Sequence, residues 1–264
     1  MFKRLSIVFS LLALLSAPSA VSETMDTMVM PNPKDYQDVM PKTFMGNMVE
    51  MSSDKTGRFY LYATGDKTSR AAIVLIHEWW GLNNQIRAVA DQFARLGYAV
   101  YAVDIYDQRF TTYTRQASEW AQNIDKKRAR AILETAITNI RARHKKIGVI
   151  GWCFGGGWSL QASLAQPDYV NATVIYYGML ESDPKILGRL KGSVLGIFAS
   201  KDRWITPEKV DAFEKGLKTA GVKHIIKRYD AQHAFANFTR GKYAKGPARD
   251  AWKETVSFFE DNLR

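Results

Sequence analysis

Short apolar runs alternate with amphipathic segments along most of the chain. Residues 71–77 (AAIVLIH) form a continuous apolar run, which is typical of a strand that is buried on both faces. Residues 83–96 instead repeat apolar side chains at helical spacing, and Gly97 ends this predicted helix. Because such strands and helices take turns along the chain, the pattern predicts a mostly parallel sheet with helices on both faces.

The same two patterns predict the remaining elements. Further strands are predicted over residues 58–64, as an antiparallel edge strand, and over residues 99–103, 147–150, 172–176, 194–199 and 224–229. Helices are predicted over residues 155–165, over residues 207–220 with Thr206 as N-cap, over residues 248–263, and as one or two helices within residues 118–143. An extended lead-in is predicted for residues 23–43. Since no linker follows residue 50, residues 23–264 are predicted to form a single domain.

The first 22 residues have the three-part pattern of a secretory signal peptide. Lys3 and Arg4 precede an apolar run, and Ala20-Val21-Ser22 fits the small-x-small cleavage rule. The run of about 12 apolar residues is shorter than the roughly 20 that span a bilayer as a helix. An uncleaved membrane anchor is the alternative interpretation. The sequence therefore predicts an exported protein, periplasmic or secreted, without stable membrane insertion after cleavage.

Composition and charge exclude several classes of function. The chain has one cysteine, so an intramolecular disulfide and a multi-cysteine zinc site are both impossible, and its four histidines are not paired at ligand spacing. We therefore predict no metal and no cofactor. The formal net charge is +11, but the basic residues are scattered and no nucleic-acid-binding motif is present. We interpret this charge as a solvated surface rather than a nucleic-acid interface, and the oligomeric state is left open.

One motif with chemical meaning lies at a predicted strand-to-helix turn. Gly151-Trp152-Cys153-Phe154-Gly155 fits G-x-C-x-G, the nucleophile-elbow pattern with cysteine in place of serine. The small residues let the turn tighten, so that the side chain between them projects above the sheet. Cys153 is therefore a candidate nucleophile, and the Phe154 amide is a candidate oxyanion donor. A buried cysteine in a glycine-rich turn is the alternative.

Candidate partners of Cys153 follow in the chain order that elbow hydrolases use. Asp202 and His233 each come just after a predicted strand, so both are expected at the same edge of the sheet as Cys153. His233 would take and return the thiol proton, and Asp202 would orient its imidazole. Asp104 and Asp230 also end strands and are alternative acids by position, although Asp104 precedes the nucleophile, which is the wrong order.

The predicted strand over residues 71–77 ends in a second loop, His77-Glu78-Trp79-Trp80-Gly81. The loop at this position supplies the second oxyanion donor in elbow hydrolases, and the Trp79 amide is the candidate here. Glu78 is expected close to the thiol, and an ion pair with a nearby arginine is the alternative. His77 and Glu78 open a zinc-binding motif, but Gly81 stands where its second histidine would be, so we exclude that site.

On these residues the chain resembles the dienelactone hydrolase family of α/β-hydrolases. The resemblance extends from about residue 71 to residue 263 and rests on residues 77–83, 103–106, 151–156, 202 and 233–235. It implies an α/β-hydrolase fold, a triad of Cys153, His233 and Asp202, and cleavage of an ester or lactone through a thioester acyl-enzyme. It also implies that the thiol rests neutral beside the histidine and that Glu78 helps to ionise it when substrate arrives.

The sequence defines the substrate less well. Family members that open dienelactones hold the substrate carboxylate with arginines; here Arg109 stands one place late, and Asn237 occupies a second arginine position. The candidate substrate-binding residues are Trp80, Tyr106, Arg109 and Phe235. The tryptophans near the motifs either line the acyl site or pack the core. The polar, basic residues 237–246 either form a rim that favours an anionic substrate or are an ordinary surface loop.

The sequence therefore predicts an exported cysteine hydrolase that acts on a small-molecule carboxylic ester or lactone. Two other classes of function stay open. One is a catalytically inactive hydrolase fold that serves as a binding protein. The other is a thiol redox sensor, although the chain has no second cysteine to resolve an oxidised Cys153.

Overall fold

The residues of each central strand point alternately into two hydrophobic clusters. The structure is a computed structural model that describes residue 41 and residues 43–264. In β3 (Ala71–Ile76), Ile73 and Leu75 belong to one cluster, Val74 and Ile76 belong to the other, and all six residues are buried. The sheet therefore carries a core on both faces, as the uninterrupted apolar run predicted. The predicted signal peptide, and nearly all of the predicted lead-in, lie outside the described residues.

The described residues contain eight strands and seven helices. Besides β3, the strands are β1 (Asn47–Ser53), β2 (Gly57–Thr64), β4 (Ala99–Asp104), β5 (Lys146–Trp152), β6 (Ala172–Tyr176), β7 (Ser193–Ala199) and β8 (His224–Tyr229). The helices are α1 (Asn84–Arg95), α2 (Thr114–Gln122), α3 (Lys126–Arg141), α4 (Phe154–Ala165), α5 (Pro184–Leu187), α6 (Pro207–Thr219) and α7 (Lys245–Leu263).

The strands form one sheet in the order β1-β2-β4-β3-β5-β6-β7-β8. The β1–β2 and β2–β4 pairs are antiparallel, and all other pairs are parallel. Helices α1 and α7 cover one face, where Phe93 packs against Phe259. Helices α3, α4 and α6 cover the other face through residues such as Ile137, Leu160 and Phe213. The predicted α/β-hydrolase fold is confirmed.

Several predicted elements need correction. Residues 58–64 are antiparallel as predicted, but β2 is not at the edge, because β1 pairs with its outer side. Residues 118–143 contain parts of two helices, the first of which begins at Thr114. Helix α7 begins at Lys245 because Pro247 is tolerated in a first helical turn, where no amide donor is needed. Thr206 precedes α6 as predicted, but its side chain makes no capping hydrogen bond.

No helix in the described part of the chain has the length and apolar character needed to cross a membrane.

Candidate active site

The turn between β5 and α4 holds Cys153 in an unusual backbone conformation. Its φ is 54° and its ψ is −116°, a left-handed φ that side-chain-bearing residues rarely adopt. Two glycines permit the turn, because a Cβ on Gly151 would overlap the carbonyl oxygen of Gly155, and a Cβ on Gly155 would overlap that of Ile76. The turn is thus packed directly onto β3, and the G-x-C-x-G spacing follows from this close approach.

Loops at the carboxyl edge of the sheet bring Cys153, His233 and Asp202 into contact. Nε2 of His233 lies 3.1 Å from Sγ of Cys153, and Nδ1 of His233 lies 2.6 Å from Oδ2 of Asp202. With Nδ1–H donating to the carboxylate, Nε2 is left to accept the thiol proton. The three side chains therefore have the geometry of a nucleophile, a base and an orienting acid.

The other two candidate acids lie elsewhere. Asp104 is buried, and its Oδ1 accepts a hydrogen bond from the Tyr106 backbone N–H at 2.8 Å. Asp230 forms an exposed ion pair with Lys201, at 2.6 Å. Neither makes the contact with His233 that Asp202 makes. The structure therefore selects Asp202 from the three acids that were candidates by their position in the sequence.

Asp202 binds two loops with its two oxygens. While Oδ2 accepts from His233, Oδ1 accepts from the backbone N–H groups of Trp204 and Ile205, at 2.8 and 3.1 Å. Burial alone would raise the pKa of Asp202, but the hydrogen bond and charge of His233, together with these two backbone donors, hold the pKa below its usual range. Asp202 is therefore a carboxylate at neutral pH.

The pKa of the Cys153 thiol is shifted upward, in contrast to that of Asp202. Burial strongly raises its pKa, and the carboxylate of Glu78 raises the pKa further. A hydrogen bond from the Phe154 backbone N–H lowers the pKa in part, which places this predicted oxyanion donor beside the sulfur. The resting thiol is therefore protonated at neutral pH.

Glu78 is buried near the thiol, and its hydrogen-bond partner is an amide. Nδ2 of Asn237 donates to Oε2 of Glu78, while Oδ1 of Asn237 accepts from the backbone N–H and the hydroxyl of Thr239 at 2.9 and 2.6 Å. Thr239 thereby fixes which way the amide faces. The contact between Asn237 and Glu78 was not predicted, because the sequence marks Asn237 only as the occupant of an arginine position.

The carboxyl group of Glu78 is incompletely satisfied. Within the described residues, its Oε1 has no hydrogen-bond partner. Burial raises the pKa of Glu78, and the Asn237 hydrogen bond and the charges of His233 and Arg240 oppose this only in part. Glu78 is therefore a stronger base than a solvated carboxylate, and one of its oxygens is available to a further donor.

His77 connects the two loops that surround Glu78. Its Nε2 accepts from the Ile105 backbone N–H at 3.2 Å, so the ring proton lies on Nδ1, which donates to the Glu78 carbonyl at 2.6 Å. His77, which the sequence pattern excluded as a zinc ligand, is thus a buried structural histidine. No group of three or more His, Cys, Asp and Glu side chains that could hold a metal ion occurs among the described residues.

Two of the predicted substrate-binding aromatics, Trp80 and Tyr106, are buried near the site. The guanidinium carbon of Arg240 lies 3.4 Å from the ring centroid of Trp80, which in turn packs edge-on against Trp79. The ring of Tyr106 packs 5.5 Å from that of Phe154, directly after the nucleophile. Among the described residues, no contact of the Trp79 amide defines its role as an oxyanion donor, which stays a prediction.

The other two predicted substrate-binding residues are engaged elsewhere. The Nε of Arg109 donates to the Tyr106 carbonyl at 2.9 Å, and its guanidinium group lies over the ring of Trp120. Phe235 is fully buried and packs against Tyr177 and Tyr229, so it supports the loop that carries His233. Both positions favour a structural role over substrate contact.

Tyr177 was not identified from the sequence, although it follows β6 at the same sheet edge. It has a φ of 36°, and its ring centroid lies 5.1 Å from that of His233. Burial raises its pKa well above the usual value, and the charges of Glu78 and Cys153 raise it further. The only sequence signal was its position at the end of a strand.

A cavity of about 500 Å³ opens beside His233. It is lined by Lys201, Arg203, Trp204, Gln232, His233 and Lys242. Of these residues, only Lys242 belongs to the segment 237–246, for which the sequence left a basic rim and an ordinary surface loop as alternatives.

The sequence and the fold are similar to those of known proteins. The chain matches the dienelactone hydrolase family over residues 59–263. It is 30% identical to "Protein usf" of Aquifex pyrophilus over 232 residues, which cover 83% of this chain and 100% of that protein. It is 29% identical to a carboxymethylenebutenolidase of Rhodococcus opacus over 220 residues, which cover 77% and 86% of the two chains.

A solved structure shows the same fold. It is described as a dienelactone hydrolase-like promiscuous phosphotriesterase from metagenomic libraries and superposes with a TM-score of 0.73. The match covers 83% of this chain and 100% of that structure, at 20% sequence identity. At this identity the likeness establishes the fold alone.

Proposed function

This chain belongs to the dienelactone hydrolase family, and from that premise we propose that it is an exported cysteine hydrolase that cleaves a small-molecule carboxylic ester or lactone through a thioester acyl-enzyme. The observation that carries the proposal is the continuous set of contacts from Sγ of Cys153 through His233 to Asp202. Export to the periplasm or the medium is part of the proposal and rests on the signal-peptide pattern of residues 1–22.

The first half of the reaction acylates the enzyme. The proton of Cys153 moves to Nε2 of His233, and the sulfur attacks the acyl carbon. The amides of Phe154 and Trp79 stabilise the oxyanion that forms. His233 then gives its proton to the leaving oxygen, which breaks the ester bond and leaves a thioester on Cys153.

The second half hydrolyses the thioester. His233 takes a proton from a water molecule, which attacks the acyl carbon, and returns this proton to the sulfur as the C–S bond breaks. Asp202 orients the imidazole throughout and stabilises its positive charge. The reaction uses only side chains, backbone amides and water.

Glu78 has two roles in this proposal. In the resting site its charge raises the pKa of Cys153, which keeps the thiol protonated and slow to react. When substrate enters, Glu78 helps to ionise the thiol, as family membership suggests. The raised pKa of Glu78 and its unpaired Oε1 support this second role, because such a carboxylate accepts a proton or a donor readily.

The decisive experiment compares hydrolysis of activated esters and lactones by the wild-type chain with hydrolysis by Cys153→Ala and His233→Ala. We expect each variant to lose at least about a hundredfold in kcat/KM, which corresponds to roughly 2.7 kcal/mol of transition-state stabilisation. Circular dichroism serves as the control for folding. Equal activity in all three proteins would show that the hydrolysis does not use this triad.

The alternatives have less support. An inactive binding protein has no need for the Cys153–His233–Asp202 contacts, and folded wild-type protein without turnover on the whole panel would favour it. A redox sensor needs a reactive thiolate, whereas burial and Glu78 keep the Cys153 thiol protonated. Slow oxidation of Cys153 by peroxide, compared with a simple thiol, would separate the hydrolase from the sensor.

A further inference from the structure

The cavity beside His233 is strongly basic. Lys201, Arg203 and Lys242 contribute three positive charges to its lining, and none of the lining residues is acidic. At about 500 Å³, the cavity is large enough for a small organic group. Because the three cations come from two different loops, their convergence could not be inferred from any one segment of the sequence.

Two of these charges are not balanced by a carboxylate. Lys201 pairs with Asp230 at 2.6 Å, whereas Arg203 and Lys242 make no ion pair within the described residues. Nζ of Lys242 lies 5.3 Å from the ring centroid of Trp204, whose side chain is 58% exposed. The cavity wall therefore combines uncompensated positive charge with an accessible aromatic surface.

The wall is held in place before any ligand binds. The Trp204 backbone N–H donates to Asp202, and the Trp204 carbonyl accepts from Nζ of Lys209 at 2.8 Å. The backbone N–H of Lys201 donates to the Ala231 carbonyl at 3.0 Å, which joins the loop after β7 to the loop of His233. A ligand in the cavity would therefore meet a largely formed surface.

The position of His233 relates the cavity to the reaction. Its imidazole forms part of the lining, and the Trp204 ring centroid lies 5.0 Å from its own. In the proposed function His233 protonates the leaving oxygen, so the leaving arm of the substrate must lie beside it. The part of the substrate that extends into the basic cavity is then the leaving arm rather than the acyl group.

We propose that Arg203 and Lys242 form a subsite for an anionic group on the leaving arm of the substrate, with Trp204 contacting an unsaturated or aromatic portion of that arm. The preferred substrates are then esters or lactones whose leaving arm carries a carboxylate or a comparable anion. This inference rests on the proposed function. It assigns charge recognition to the loops that follow β7 and β8, since Arg109 and Asn237 are engaged with Trp120 and Glu78.

The test uses two esters that share an acetyl group, 4-acetoxybenzoate and its neutral methyl ester. After correction for their spontaneous hydrolysis rates, we expect wild-type kcat/KM to favour the anionic ester by about tenfold, the scale of two surface charge contacts. The double variant Arg203→Gln/Lys242→Gln should lose this preference. Lys55→Gln, in the turn between β1 and β2, is the matched control and should change the ratio less than about twofold, because it removes an equal charge that does not line the cavity.

The outcomes separate the two proposals. Hydrolysis that depends on Cys153 but shows no preference, or a preference that survives the double variant, would overturn the anion subsite and leave the proposed function standing. If neither ester is cleaved, binding of the product 4-hydroxybenzoate, followed by tryptophan fluorescence, still decides the question. Binding that weakens about tenfold in the double variant, but not in Lys55→Gln, supports the subsite; equal binding by all three proteins refutes it.

Discussion

The two flanks of His233 have polar groups in opposite surroundings. On one flank Glu78 is only 3% exposed, and its carboxylate is held by the equally buried amide of Asn237. On the other flank Arg203 and Lys242 border a cavity beside Trp204, which is 58% exposed. We refer to these as the buried flank and the exposed flank.

The difference shows how burial decides what a charge can do. On the buried flank desolvation raises the pKa values of both Glu78 and Cys153. The protonation states of these two groups decide whether the thiol can react. On the exposed flank water stabilises the cations, and their effect is attraction that salt can screen. Reactivity therefore depends on the first flank, and substrate selection on the second.

The largest effect is expected from Glu78→Gln, which removes the charge of the buried flank and keeps its shape. Turnover should fall by about a hundredfold, within the range for removal of a group that assists proton transfer. Alkylation of the resting thiol by iodoacetamide at pH 8 should instead become faster, because the charge that raises the Cys153 pKa is gone. Steady-state kinetics and mass spectrometry measure the two changes.

Glu119→Gln, on the exposed surface of α2, is the control for this comparison and should alter neither rate. If Glu78→Gln slows both turnover and alkylation, Glu78 promotes ionisation of the free thiol as well. That result would contradict a role in keeping the resting thiol protonated.

A smaller effect is expected from salt, which acts mainly on the exposed flank. Raising NaCl from 0.05 to 0.5 M should lower kcat/KM for 4-acetoxybenzoate by about threefold to fivefold, since the Debye length falls well below 10 Å. The neutral methyl ester and the rate of Cys153 alkylation should change less than about 1.5-fold. A matching loss for both esters would show that salt acts elsewhere than on the proposed subsite.

The smallest effect concerns stability. Burial raises the folded-state pKa of Glu78 above its ordinary value of 4.5, so the folded state holds the proton more tightly than the unfolded chain does. The resulting stability is present below pH 4.5 and is lost as the pH rises through the folded-state pKa. Glu78→Gln should therefore melt about 2–4 °C higher than wild type at pH 8, equivalent to about 1 kcal/mol, and show no gain at pH 4. A gain of the same size at both pH values would rule out ionisation as its cause.

The sequence predicted the parts of the fold whose residues face the core. The bounds of β6, whose five residues are all buried, agree with the prediction. The bounds of β8 agree as well, although none of its residues is buried, because its place in the strand–helix alternation identified it. β1 was not predicted, since all of its residues are exposed or half-buried and it precedes the alternation of strands and helices. The start of α2 was missed for a similar reason, because Ala117 is its only fully buried residue.

The residues of the site likewise fall into those that the sequence predicted and those that it did not. Cys153, Asp202 and His233 could be named because chain order and strand ends place them at one edge of the sheet. The partner of Glu78 could not, since Asn237 lies 159 residues away along the chain and a hydrogen bond has no sequence period. Arg203 was likewise not predicted, because its proposed role in binding an anion depends on Lys242, which lies in a different loop.

The double attachment of Asp202 has a consequence for how this protein can diverge. Residue 203 lies between Asp202, which orients His233, and Trp204, whose amide is fixed by the same carboxylate. Its backbone is thereby anchored on both sides, while its side chain is exposed. A gene duplicate, or a library made in the laboratory, can exchange the residue at position 203 without disturbing the reactive centre. Substrate selectivity can therefore evolve in this protein independently of its catalytic rate.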